Sequence, residues 1–176
     1  RYYEQLHERN PEDIESTLGY ARNLRYVGTP ARAVQMLEEV LADGLENSRL
    51  LSELGRALIA SGKPERAITP LTEAVSTGLN DWRTISALGI ANDQLGRHAK
   101  ARNYYRQAQR ISPENTAVLN NLALSWALSG DLERSLMILE RANKMPGATA
   151  QVRQNLALLY GVKGDDKRAH DLARLD

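Results

Sequence analysis

Apolar residues in this chain of 176 residues recur three and four positions apart among charged ones, the spacing that lines one face of a helix. The pattern is punctuated by glycines at Gly28, Gly62, Gly96, Gly130 and Gly164, each 34 residues after the last. A fixed period of that length marks a helix-turn-helix unit copied along the chain, not a globular catalytic domain. It assigns every residue a position that can be compared from one copy to the next.

Set without insertions, the repeats run 14–47, 48–81, 82–115, 116–149 and 150–176. Position 7 then holds Tyr20, Leu54, Leu88, Leu122 and Leu156, and position 8 holds only Ala21, Gly55, Gly89, Ala123 and Ala157. Position 20 is also small (Ala33, Ala67, Ala101, Ser135, Ala169), whereas position 24 is large in four copies (Leu37, Leu71, Tyr105, Leu139) and Ala173 in the fifth. Small residues at 8 and 20 let two antiparallel helices approach closely, and the large ones fill the space between them. Just before each repeat stands a residue that can cap a helix: Asp13, Asn47, Asp81, Asn115 and Thr149. The recurring glycine is where the chain reverses, with the positive φ such turns require. Pro30 and Pro64 suit the first turn of the helix that follows. The pattern predicts first helices over 14–26, 48–60, 82–94, 116–128 and 150–162, and second helices over 30–42, 64–76, 98–111, 132–144 and 166–175.

These columns resemble the tetratricopeptide repeat (TPR), most fully in the third copy, with Trp82, Ile85, Leu88, Gly89, Gly96, Ala101, Tyr105, Ala108 and Pro113. Leu45 and Leu79 replace the closing proline, but Gly44 and Gly78 precede them and can end a helix in a left-handed cap. The resemblance implies an all-α fold, a right-handed α-solenoid of antiparallel helix pairs forming one array over 1–176. Residues 1–13 fit the second half of an earlier repeat, with Tyr3, Leu6 and Pro11 in register. The last repeat stops at Asp176 with no polar helix after it, so the chain reads as a fragment whose terminal repeats could self-associate.

Composition narrows the chemistry. With 23 basic and 22 acidic side chains the net charge is +1, without the basic excess of a nucleic-acid-binding protein. No apolar run is long enough to span a membrane, and there is no cysteine. His7, His98 and His170 fall at unrelated positions without metal spacing and read as solvated surface residues. The glycines come singly, so no phosphate loop is formed. Asp165 and Asp166 read as acids at a helix start. No catalytic residue, cofactor or metal is expected.

Function then falls to a groove that, by the resemblance, is lined by the first helices at positions 2, 5, 6, 9, 12 and 13. The earlier repeats place Arg22, Arg25, Arg49, Arg56 and Arg83 there. Their guanidinium groups either take carboxylates of a ligand in two-pronged fashion or pair with Glu15, Glu53 and Asp93 on the same surface. The carboxylate clamp of chaperone-binding relatives wants Lys at position 5 and Asn at position 9, where this chain has Leu18 and Arg22, or Ser52 and Arg56. Later repeats supply Asn120, Asn121, Gln151, Gln154 and Asn155 beside Leu124, Leu128, Leu158 and Val162. Asn121 and Asn155 share position 6: they either form a ladder for an extended peptide's backbone or tie one helix to the next.

A narrower likeness lies in residues 120–164, where Asn-Asn-Leu-Ala-Leu, Ser-Gly-Asp-Leu, Pro146-Gly147-Ala148 and Val-Arg-Gln-Asn-Leu-Ala-Leu resemble the TadD-type proteins of tight-adherence (Tad) pilus assembly. That likeness implies a bacterial lipoprotein at the inner face of the outer membrane, anchored through a segment upstream of Arg1. Its partner would be an outer-membrane secretin or another Tad component. A cytoplasmic co-chaperone or regulatory scaffold, and the substrate-recruiting arm of a larger enzyme, stand as alternatives.

Overall fold

The computed structural model describes residues 2–10 and 13–174, which form eleven α-helices and no strand. They divide into two compact units, Arg1–Leu95 and Gly96–Asp176, with the boundary at the turn inside the third repeat. The first unit holds α1 (Tyr2–Arg9), α2 (Ile14–Tyr26), α3 (Pro30–Ala42), α4 (Ser48–Ala60), α5 (Pro64–Ser76) and α6 (Trp82–Gln94). The second holds α7 (His98–Ile111), α8 (Thr116–Leu128), α9 (Leu132–Asn143), α10 (Ala150–Lys163) and α11 (Asp166–Ala173). Expected helix limits are met to within a residue except at the end of the last helix, which stops at Ala173 with Arg174 as its C-cap, short of the expected 175. Pro11 lies outside the described residues.

Local chemistry accounts for these limits. The side chains of Asp13, Asn47, Asp81, Asn115 and Thr149 each accept a backbone N–H from the first turn of α2, α4, α6, α8 and α10 respectively. Pro30 and Pro64 begin α3 and α5, where a missing N–H leaves no bond unmade. At the helix exits Gly28, Gly62, Gly130 and Gly164 have φ of 70–86°, and the next N–H bonds back to Leu24, Leu58, Trp126 and Tyr160 respectively. Gly44 and Gly78 close α3 and α5 the same way, with φ of 93° and 99°. This is the Schellman ending, which satisfies carbonyls the helix leaves free. The Pro146-Gly147 turn differs: Gly147 is not left-handed, and its carbonyl accepts the Thr116 hydroxyl at 2.7 Å.

Packing follows the columns. Ala33, Ala67, Ala101 and Ser135 are fully buried, as are Leu37, Leu71 and Leu139, with Tyr105 nearly so. Position 8 is small for a measurable reason in the first unit: a Cβ on Gly55 would fall 2.3 Å from Leu71 Cγ. In the second unit Leu136, Leu139, Val152, Leu156 and Tyr160 join α9 and α10 in one apolar cluster.

One expectation about the histidines needs correcting. His170 is exposed, but His98 is half-buried, and His7 packs on α2 with Nδ1 2.8 Å from Thr17 Oγ1 and its ring beside Tyr20. Tyr20 in turn donates its hydroxyl to Glu4 at 2.9 Å. Thus α1 docks through polar groups that a surface reading leaves in water. Burial pushes the His7 pKa below its ordinary 6.5, against a smaller opposing pull from Glu8. Folding therefore favours neutral His7. The stability this adds is complete above pH 6.5 and is lost as pH falls from there through the lower folded value. An NMR titration of the His7 ring is expected to give a midpoint below 6.5; a midpoint at or above that value contradicts the packing of α1.

Candidate peptide-binding surfaces

In the first unit the arginines of α2 and α4 converge on one acid. Glu53, on α4, is only 2% exposed, and its carboxylate meets Arg25 Nε at 2.9 Å, Arg56 Nη1 at 3.2 Å and Arg22 Nε at 3.6 Å. The helical turn places Arg22 and Arg25 on one face of α2 and Glu53 and Arg56 on one face of α4, three residues apart in each case. Arg22 remains 46% exposed and Arg56 25%, whereas Arg25 is 15% exposed and its Nη2 is buried without a hydrogen-bond partner. Burial pushes the Arg56 guanidinium below its ordinary value; Glu53 opposes that shift, and the nearby Arg25 and Arg22 add to it. Positive charge is thus crowded here beyond what one carboxylate neutralises.

The other two arginines are engaged elsewhere. Arg49 grips Glu15 with both terminal nitrogens, Nη2 at 3.1 Å, and this hydrogen bonding holds the Glu15 carboxyl below the usual carboxylate range. Arg83, on α6, lies over the Trp82 ring at 4.5 Å. Pairing with Glu15 and Glu53, one of the two readings open from the sequence, is therefore present, and around Glu53 it leaves cations in excess. Leu18 is fully buried, and Ser52 hydrogen-bonds Thr84 on α6 at 2.7 Å. Position 5 in these two repeats therefore faces a neighbouring helix, where no lysine clamp could form.

The same holds for position 5 of the fourth repeat. Asn120 is 3% exposed and accepts Asn155 Nδ2 at 2.8 Å, tying α8 to α10, so its expected place in the groove is corrected to a helix contact. Asn121 is half-buried on α8, while Gln151 and Gln154 are exposed on α10. Half-buried Leu124 and exposed Leu128 stand at positions 9 and 13 of α8, and exposed Leu158 and Val162 at the same positions of α10. Spacing of four residues sets each pair on one face of its helix, and equal positions on two helices that pack together make the pairs one apolar strip.

Two features were missed in the sequence. The buried position of Glu53 makes it the centre of the arginines, and Tyr26, 76% exposed at position 13, lies 4.8 Å below the Arg25 guanidinium. The exposed residues at position 13, Tyr26, Leu128 and Val162, are the signal that could have found the second. Away from these faces, a cavity of about 540 Å³ opens between α9, α10 and α11, floored by Leu156 and Tyr160. Its rim balances Glu140 and Asp171 against Lys144 and Arg168. Among the described residues no group of three or more His, Cys, Asp or Glu could hold a metal ion, and no helix is long and apolar enough to cross a membrane.

The tetratricopeptide repeat matches residues 18–78 and again 82–115, together more than half of the chain. The chain belongs to the tetratricopeptide-repeat family. Among solved structures it resembles TTC0263, a thermophilic TPR protein of Thermus thermophilus, at 20% identity over 90% of this chain and 87% of that one, with a TM-score of 0.81. It also resembles YrrB, a TPR protein with an unusual peptide-binding site, at 17% identity over 98% and 89%, with a TM-score of 0.63. MamA of Desulfovibrio magneticus matches at 18% identity over 90% and 92%, with a TM-score of 0.67. At these identities the likeness is one of fold, an all-α solenoid of helix pairs. No curated protein matches the sequence significantly. A TPR array is a scaffold suited to protein–protein interaction.

Because Glu53 is buried among its arginines, Glu53→Ala leaves their charges unopposed. The expected loss is about 3 kcal/mol, the low end for a buried pair, since Arg22 and Arg56 still reach water. Urea unfolding measures it, and a loss under about 1 kcal/mol, the level of a surface pair, contradicts the cluster.

Proposed function

We propose that this chain is a non-catalytic scaffold holding a segment of another protein on the open faces of its first helices, in the assembly of a Tad-type pilus or secretion machine. The observation that carries the scaffold reading is the apolar strip of Leu124, Leu128, Leu158 and Val162. Apolar side chains left in water on helices whose other faces are packed are the kind of patch that marks an interaction site. The polar groups of Asn121 and Gln154 on the same two helices offer donors and acceptors to a peptide backbone. The Tad assignment is supported by the resemblance of residues 120–164, which includes α10 and the greater part of α8. It makes the partner an outer-membrane secretin or another Tad component, and the place of action the inner face of the outer membrane.

Affinity capture from an envelope extract of the source bacterium tests this reading. The unchanged protein is expected to recover a Tad component, and the exposed-site double variant Leu128→Asp, Leu158→Asp to lose it. Recovery of cytosolic proteins alone contradicts the envelope reading in favour of a cytoplasmic scaffold.

A further inference from the structure

We infer that Arg22 and Arg56, arranged around the buried Glu53 carboxylate, form a binding site for a carboxylate side chain in an acidic segment of the partner protein. The inference rests on the scaffold reading above and names the chemistry that one face recognises.

Donor supply comes first. Three guanidinium groups bring about fifteen N–H donors to Glu53, whereas one carboxylate offers about four acceptor positions. Glu53 takes contacts from Arg22, Arg25 and Arg56, so its own oxygens are committed while most of the donors are not. Arg25 Nη2 shows the surplus directly, being buried with no acceptor.

Charge points the same way. Helices α2 and α4 together carry Arg22, Arg25, Arg49 and Arg56 against Glu15 and Glu53, and Arg49 already holds Glu15. Like charges held this close repel, and a second carboxylate among them would lower that cost. The cavity between α9, α10 and α11 has no such imbalance, its acids and bases being equal in number.

Access and order complete the site. Arg22 makes the longest of the three contacts and is the most exposed, so its guanidinium can turn to a ligand while Arg25 keeps Glu53. Glu53 also holds the long side chains in place before binding, which reduces the entropy lost when a ligand arrives. Beside them the exposed Tyr26 ring gives a neighbouring apolar residue of the segment a surface to lie on.

The test is fluorescence anisotropy with a labelled peptide of alternating Glu and Ser, blocked at both ends, against its Gln counterpart. The Glu peptide is expected to bind and to weaken with added salt, and the Gln peptide to bind at least about tenfold more weakly. Arg22→Gln, at an exposed position, should cost about tenfold in affinity, the double change with Arg56→Gln more, and Arg66→Gln, on α5 beside Glu38, nothing. Circular dichroism of each variant checks that it is folded. Equal binding of the Glu and Gln peptides, or an unchanged affinity in folded Arg22→Gln, overturns the inference. If the Glu peptide fails to bind while the Tad component is still captured, the carboxylate site falls and the scaffold stands; if both fail, so does the scaffold.

Discussion

Helices α4 and α5 come together so closely that position 55 has no room for a single carbon beyond the backbone. That contact sets how α4 is turned. At 100° per residue, Glu53 lies about 200° around the helix from Gly55, on nearly the opposite side. The face of α4 turned away from α5 therefore carries an acid into the contact with α2, where Arg22 and Arg25 await it. Arg56, one residue beyond the glycine, comes to the edge of the same contact. The arginine site is thus a consequence of packing on the far side of the helix that bears it.

The two units use their open faces differently. In the first, charge dominates, and a buried carboxylate keeps cations together that would otherwise separate. In the second, exposed leucines lie beside amides, two of which, Asn120 and Asn155, are already spent on holding α8 to α10. An acidic ligand gains most from the first arrangement because its charge is met by preorganised donors. An extended apolar segment gains most from the second, where burial from water supplies the free energy. A scaffold carrying both kinds of face can be specific for a partner that offers both chemistries.

Most of the fold was legible because its signals are local. A cap residue, a glycine that allows positive φ and a proline at a first turn each act within a few residues of themselves, so Asp81, Gly62 and Pro64 mark helix limits directly. The site was legible only in part, because its geometry joins different positions of successive repeats. Aligned columns set Asn121 beside Asn155, whereas the hydrogen bond runs from Asn155 to Asn120. In the same way Glu53, at position 6, meets Arg25 at position 12 of the preceding repeat. Residue type announced the arginines, but only the structure shows which acid they share. His7 eluded the sequence for a related reason: its environment is made by Thr17 and Tyr20, ten and more residues further along the chain.

The close approach of α4 and α5 is tested most directly by thermal unfolding of Gly55→Val. A side chain there meets Leu71, so the overpacked pair should lose about 1–3 kcal/mol and melt at a lower temperature. Away from such a contact, replacing a mid-helix glycine leaves stability unchanged or raises it, because glycine is among the poorest helix formers. An unchanged or higher melting temperature in Gly55→Val would contradict the packing on which the placement of Glu53 and its arginines depends.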